Sequence, residues 1–99
     1  MGAKVSGAGT DTIRVEGVTK LKGAEHNVIP DRIEAGTFLL AGAITNGDVF
    51  INNISPDVLF SVTDKLEEVG AQIKKGRNYV RVKAGELRGV DIKTLPYPG

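Results

Sequence analysis

Residues 35–44 read AGTFLLAGAI, a run in which Thr37 alone carries a polar side chain. Asp31 stands just before the run and can cap a helix, and Glu34 can complete a capping box by reaching back to the backbone amide of the cap. The pair Asn46-Gly47 is a typical helix end. A helix that is apolar nearly all the way round is normally buried, so we expect this helix to require apolar partners on more than one side.

Two glycines lie inside this predicted helix. Gly36 and Gly42 are each about 1 kcal/mol less favourable than alanine in a helix interior. We expect them to permit the close approach of another helix.

The flanking sequence predicts strands and a second helix. One strand is expected near Glu25 to Val28 and another at Val49-Phe50-Ile51. Ser55-Pro56-Asp57 predicts a helix start, with a serine cap followed by proline at the first helical position. This second helix ends at Gly70, and its apolar face is predicted to contain Val58, Val62, Leu66 and Val69.

A closing hairpin is predicted after the second helix, with Ile73 on one strand and Val80 and Val82 on the other, around Gly76-Arg77-Asn78. The predicted fold class is α+β. The unit has the order β-α-β-α-β-β, right-handed crossovers and both helices on one face of the sheet.

The chain also repeats itself. Gly2-Ala3-Lys4-Val5 matches Gly70-Ala71-Gln72-Ile73 at an offset of 68, and Ile13-Arg14-Val15 matches Val80-Arg81-Val82 at an offset of 67. A third match, at an offset of 66, places Leu21-Lys22-Gly23 on Leu87-Arg88-Gly89. These matches indicate a duplicated unit of about 67 residues, unless the short alternating patterns recur by chance.

The repeat divides the chain into three parts. We expect residues 1–20, with Lys4-Val5-Ser6 paired to the strand of Ile13 and Val15, to be the tail hairpin of a preceding unit. Residues 21–85 form one complete unit, and residues 86–99 supply the first strand of the following unit. The chain is therefore expected to be a piece of a longer, repeated protein.

Composition excludes several classes of function. The net charge is +1 and there is no cysteine, which argues against a nucleic-acid partner, disulfides and thiolate metal sites. No apolar run reaches the ~20 residues of a membrane span, and the first residues lack the apolar core of a signal peptide. We expect a cytoplasmic protein with no membrane partner and no metal.

Several stretches resemble the bacterial UDP-N-acetylglucosamine enolpyruvyl transferase family. They are Val28-Ile29-Pro30-Asp31-Arg32-Ile33-Glu34-Ala35-Gly36-Thr37-Phe38, Gly7-Ala8-Gly9-Thr10-Asp11-Thr12-Ile13, Gly47-Asp48-Val49 and Val90-Asp91-Ile92-Lys93-Thr94-Leu95-Pro96-Tyr97-Pro98-Gly99. Together they cover nearly the whole chain.

The resemblance implies a fold and a reaction. Each domain of the family is an inside-out α/β barrel of three β-α-β-α-β-β units, with helices in the middle and sheets facing solvent. The cytoplasmic enzyme transfers enolpyruvate from phosphoenolpyruvate to the 3′-hydroxyl of UDP-N-acetylglucosamine, the first committed step of peptidoglycan synthesis, without metal or cofactor.

The same resemblance places the catalytic cysteine loop, the Lys-Asn pair and a catalytic aspartate of the family outside this chain. We therefore assign no catalytic residue here and expect the chain alone to be inactive. Its partners would be the remaining repeat units, and the exposed apolar helix would otherwise drive self-association.

Asp31, Arg32 and Glu34 are the candidate substrate-side residues. Helix N-termini favour anions, so this group could support substrate phosphates at a cleft between domains, or it could be a capping box with an ion pair. His26 is expected to be a strand residue, Gly7-Ala8-Gly9 a hairpin turn, and the basic side chains a solvated sheet face, formed by Lys74, Lys75, Arg77, Arg81 and Lys83.

Two other functions remain open. The C-terminal domain of bacterial translation initiation factor three has a similar layout, which leaves a freestanding RNA-binding module as an alternative. The shikimate-phosphate enolpyruvyl transferase shares the fold, although the stretch from Asp31 to Phe38 fits the UDP-sugar enzyme better.

Overall fold

The computed structural model describes residues 1–94, and in this part of the chain it contains two sheets and two α-helices. The strands are β1 (Lys4–Ser6), β2 (Arg14–Glu16), β3 (Asp48–Asn52), β4 (Gln72–Gly76) and β5 (Tyr79–Lys83). The helices are α1 (Arg32–Ile44) and α2 (Phe60–Glu68), and a 3-10 helix, Pro56–Leu59, leads into α2. The predicted α+β class is confirmed.

The larger sheet has the order β3-β5-β4, and β5 is antiparallel to both neighbours. Val82 lies opposite Val49 on one side and opposite Ile73 on the other. The predicted closing hairpin, β4-β5, is therefore present. The smaller sheet is the hairpin β1-β2, in which Val5 lies opposite Val15.

One face of the larger sheet packs against both helices. Its fully buried side chains include Leu39 of α1, Leu59 of the 3-10 helix, and Val80 and Val82 of β5. The opposite face is exposed, and Phe50 and Arg81 lie on it. Both helices thus lie on one side of the sheet, as the apolar pattern predicts.

The strand expected near Glu25 to Val28 does not form in this structure. A strand is stable only when its backbone groups pair with a neighbour, and none of the described strands pairs with this segment. Val28 is 86% exposed and Ile29 77% exposed. The available neighbour would be β3, which pairs with β5 alone among the described strands.

Most of the apolar face predicted for the second helix is confirmed. Leu66 is buried and Val62 and Val69 pack against the buried cluster, whereas Val58 is 44% exposed. Val58 lies in the 3-10 helix, whose three residues per turn do not keep the α-helical spacing of the predicted face, and Leu59 is buried there instead. Ser55 occupies the N-cap position but makes no side-chain capping bond.

The helix glycines approach different elements. A Cβ at Gly36 would lie 3.5 Å from Val62 Cγ2 of α2, which agrees with the predicted helix contact. A Cβ at Gly42 would lie 2.7 Å from Val49 Cγ2 and 3.0 Å from Val82 Cγ1. Gly42 therefore allows α1 to approach the sheet, and the prediction of a helix contact there is wrong.

Part of the predicted third unit falls on residues 95–99, outside the described residues. Residues 86–94 carry no strand. This segment is hydrogen-bonded to the end of α2, because Arg88 N donates to Val69 O at 2.8 Å and Arg88 Nε donates to Glu68 O at 3.2 Å.

Candidate functional site

The carboxylate of Asp31, the residue just before α1, caps the start of this helix. Asp31 Oδ1 accepts hydrogen bonds from Ile33 N at 2.8 Å and from Glu34 N at 3.4 Å. These amides are the groups that a helix N-terminus would offer to an anion. Glu34 makes no side-chain hydrogen bond within residues 1–94, so only one half of the predicted capping box forms.

The three candidate residues line two different depressions. Arg32, together with Ile33, Leu40 and Val58, lines an open groove of about 270 Å³ between α1 and the 3-10 helix. We call this the helix groove. Arg32 is half-buried there.

Asp31 and Glu34 face the other side of the helix. They line a depression of about 480 Å³ together with Phe38 and residues 49–54 of β3 and its following loop. We call this the strand-side cleft. The structure therefore does not bring Asp31, Arg32 and Glu34 together around one pocket.

An apolar surface runs along α1 from the helix groove. The exposed fractions are 71% for Ile33, 53% for Leu40 and 82% for Ile44, and Phe38 on the strand side is 56% exposed. Large apolar side chains that cluster on one exposed helix face typically mark a contact with another protein surface. Within residues 1–94, the rest of the chain leaves this side of α1 open to solvent.

The exposed face of the larger sheet holds an ion pair that sequence analysis missed. Arg81 Nε donates to Asp48 Oδ1 at 2.6 Å, and Arg81 Nη2 donates to Asp48 Oδ2 at 2.5 Å. The hydrogen bond from Arg81 holds the pKa of Asp48 below its ordinary value, and the pKa of Arg81 is raised in return.

Beside this pair, the rings of Phe50 and Tyr79 lie with their centroids 5.1 Å apart. Both contacts follow from the register of β3 against β5, in which Phe50 lies opposite Arg81 and Asn52 opposite Tyr79. Asp48 is therefore diagonal to Arg81 and Phe50 is diagonal to Tyr79, and the local sequence carries no signal for this register. Side chains on one face of paired strands meet in this way.

The remaining candidates are structural or exposed. Gly7-Ala8-Gly9 lies in the turn between β1 and β2, where Thr10 Oγ1 donates to Gly7 O at 2.7 Å, so the hairpin-turn prediction is confirmed. His26 is exposed and lies outside the strands, which corrects the strand prediction. The five basic residues of the β4-β5 hairpin are exposed, and Lys74 lies opposite Arg81 on the open sheet face. Lys75 lies opposite the buried Val80, on the helix side of the sheet, where its Nζ is 3.9 Å from Glu67 Oε1 of α2. The prediction of one solvated face is therefore wrong for Lys75.

Two classes of site are not found. Residues 1–94 contain no group of three or more His, Cys, Asp or Glu side chains that could hold a metal ion. Among the same residues, neither helix has the length and apolar character needed to cross a bilayer.

Comparison with known proteins gives the family. The sequence profile of EPSP synthase (3-phosphoshikimate 1-carboxyvinyltransferase) matches residues 1–99. The chain belongs to the EPSP synthase family. This family match favours the enzyme interpretation over the RNA-binding alternative.

Similar members of the EPSP synthase family carry a more specific name. The chain is 59% identical to UDP-N-acetylglucosamine 1-carboxyvinyltransferase 1 of Caldanaerobacter subterraneus. It is 54% identical to the UDP-N-acetylglucosamine 1-carboxyvinyltransferase of Halothermothrix orenii and to the enzyme numbered 1 in Staphylococcus aureus. Each match covers 100% of this chain and 24% of the relative. The chain thus spans about a quarter of the length of these relatives.

Proposed function

We propose that this chain forms one structural unit of an enzyme that transfers enolpyruvate from phosphoenolpyruvate to the 3′-hydroxyl of UDP-N-acetylglucosamine in the cytoplasm. The observation that carries the proposal is identity of 54–59% over the whole chain to enzymes named for this substrate. Because the chain spans 24% of those enzymes, it contributes a part of the machinery and is inactive alone.

The uncovered surface of α1 supports a particular assembly. In an inside-out barrel of β-α-β-α-β-β units, the helices of neighbouring units share one apolar core. Ile33, Leu40 and Ile44 would lie in that core, and the helix groove beside them would receive side chains from a neighbouring unit. The open face of the larger sheet would remain in solvent.

The same assembly would complete the larger sheet. The segment from Glu25 to Val28 precedes α1, and β3 follows it, which is the order of a β-α-β unit with parallel strands. Pro30 and Asp31 already line the strand-side cleft beside β3. We infer that this segment pairs with the free edge of β3 in the assembled enzyme, so that residues 21–85 form the complete unit.

Asp31, Arg32 and Glu34 remain the candidate substrate-side residues. Since they line two depressions, we propose separate roles for them. Asp31 holds the start of α1 in place. Arg32 lines the helix groove with its guanidinium group, and there it would contact an anionic substrate group or a carboxylate of another domain.

A segment exchange tests the proposal. Residues 1–99 would replace the equivalent segment of the Staphylococcus aureus relative, and phosphate release from phosphoenolpyruvate would be measured with UDP-N-acetylglucosamine as acceptor. We expect the exchanged enzyme to be active and the isolated chain to give background. A folded exchanged enzyme without activity, or turnover by the isolated chain, would contradict the proposal.

Two further arms sharpen this experiment. Leu40→Lys with Ile44→Lys should abolish activity of the exchanged enzyme by placing charge in the shared core, whereas Lys74→Gln on the open sheet face should leave activity unchanged. Replacing UDP-N-acetylglucosamine by shikimate 3-phosphate tests the alternative acceptor, because the matching family profile is named for the transfer to that compound.

A further inference from the structure

The end of α1 contains a chemically reactive pair of residues. The chain has asparagines at positions 27, 46, 52, 53 and 78, and only Asn46 is followed by glycine. Asparagine is among the thermally labile residues, and a following glycine has no side chain to obstruct attack by its own backbone nitrogen. Asn46 is exposed, so water reaches its side chain.

The helix end holds this pair in a fixed geometry. Asn46 has φ 55°, a left-handed conformation that asparagine tolerates at this position. Asn46 N donates to Ala43 O at 3.3 Å, and Gly47 N donates to Gly42 O at 2.8 Å. These two bonds form a Schellman motif. On the far side, Gly47 O accepts a hydrogen bond from Ala84 N at 2.9 Å.

We propose that Asn46 is a site of spontaneous deamidation whose rate is controlled by this helix end. Base removes the Gly47 N–H proton, and the nitrogen attacks Asn46 Cγ to form a five-membered succinimide. The bond from Cγ to the side-chain nitrogen breaks, and that nitrogen takes up a proton and leaves as ammonia. Water then adds to either ring carbonyl, the bond from that carbon to the ring nitrogen breaks, and the nitrogen regains a proton, which gives an aspartyl or isoaspartyl residue at position 46.

The hydrogen bond from Gly47 N is the control element. The proton that must be lost is donated to Gly42 O in the folded chain, so reaction requires the helix end to open first. The deamidation rate in the folded protein is then the deamidation rate in the unfolded chain multiplied by the fraction of molecules in which the helix end is open.

Modification would weaken the helix end that protects it. Either product places a negative charge at the C-terminus of α1, where the helix dipole disfavours it. The isoaspartyl product also adds a methylene group to the backbone, which displaces Gly47 from its bonds to Gly42 and Ala84. Modified chains therefore open more readily at the junction between α1 and β3.

The test compares the full chain in native buffer with the same chain in guanidinium at one mildly alkaline pH. Peptide mapping by mass spectrometry locates the exchange of amide for carboxyl and separates the two products. We expect Asn46 to react first in denaturant and at least about tenfold more slowly in the folded chain. Hydrogen exchange of the Gly47 amide should show a protection factor of the same order.

Two variants serve as controls. Asn46→Gly retains a residue suited to the left-handed position and should abolish the modification while the chain stays folded. Asn53→Gly, at another left-handed position with φ 59°, should leave the rate at Asn46 unchanged. Equal rates in folded and denatured chains, an unprotected Gly47 amide, or earlier reaction at another asparagine would each overturn the proposal.

Discussion

Val5 lies directly opposite Val15 in the first hairpin, and the two side chains are 54% and 65% exposed. The sequence repeat places these residues on Ile73 and Val82, at offsets of 68 and 67. Ile73 lies directly opposite Val82 in the second hairpin, where Val82 is fully buried. The two hairpins therefore share a register, and they differ in whether helices cover them.

This relationship supports the duplication. The offset changes by one residue between the two strands of the hairpin, so the difference falls in the connection and leaves the pairing intact. An isolated two-stranded hairpin is at best marginally stable in water. The open apolar face of β1 and β2 is consistent with our proposal that, in the longer enzyme, helices of another unit pack on it.

We expect substitution of the two helix glycines to have opposite effects on stability. Gly42→Ala places a Cβ 2.7 Å from Val49 Cγ2, and such overpacking costs about 1–3 kcal/mol. Gly36→Ala places a Cβ at an ordinary contact distance of 3.5 Å from Val62 Cγ2, so the higher helix propensity of alanine should stabilise by up to about 1 kcal/mol. Urea unfolding of both variants measures the difference.

The two substitutions control for each other, because both exchange glycine for alanine within one helix. If Gly42→Ala were as stable as Gly36→Ala, the close approach of α1 to the sheet would be wrong.

The sequence predicted correctly those features that depend on residues close together in the sequence. The cap at Asp31, the helix end at Asn46 and the turn at Gly7 follow from short-range rules, and each was found in place. The alternation of Val80 and Val82 predicted a strand with one buried face, because this pattern also depends on local geometry.

The sequence did not predict features that depend on contacts between residues far apart in the sequence. The segment from Glu25 to Val28 has strand character, but pairing requires a neighbour that the local sequence cannot specify. Asp48 and Arg81 are 33 positions apart, so their ion pair depends on the register of β3 against β5. Val58, which was predicted on the apolar face of the second helix, is exposed because the first turn is a 3-10 helix, which the apolar pattern does not distinguish from an α-helix.

The ion pair predicts a specific response to acid. Its hydrogen bond from Arg81 lowers the folded-state pKa of Asp48 below the ordinary 3.8. A lowered pKa stabilises the fold at pH values above the unfolded pKa, and this contribution is lost as the pH falls through the folded value. Asp48→Asn should therefore be less stable than the parent chain at neutral pH, and the difference should shrink in acid below the ordinary pKa.

Urea midpoints for both proteins across that pH range provide the measurement. The single variant Arg81→Met and the double variant Asp48→Asn with Arg81→Met complete a double-mutant cycle, which separates the interaction from unrelated effects of each change. A stability difference that stays constant into strong acid would show that the charge of Asp48 contributes nothing.

The cap of α1 can be separated from the predicted capping box. Asp31→Ala removes the acceptor of two hydrogen bonds from backbone amides, and it should lower the free energy of unfolding by about 1 kcal/mol. Glu34→Gln should change stability by less than about 0.5 kcal/mol, because the Glu34 side chain makes no hydrogen bond in the described chain. Thermal unfolding of the two variants distinguishes these cases, and equal losses would indicate that Glu34 acts in the cap.

The uncovered face of α1 predicts that the isolated chain self-associates. Ile33, Leu40 and Ile44 are each more than half exposed, and their burial against a second copy would remove apolar surface from water. Sedimentation velocity should show a concentration-dependent rise in the sedimentation coefficient. Leu40→Lys with Ile44→Lys should restore a monomer and retain the helical circular dichroism signal, because neither side chain contributes to the buried core.

A matched control places the charge elsewhere. Val28→Lys alters a side chain that is 86% exposed and lies outside the helix face, so this variant should associate as the parent chain does. If the parent chain is a well-ordered monomer at high concentration, the exposed helix face does not require a partner. The shared-core assembly would then lose its main physical support, since α1 would be stable with its apolar side chains in water.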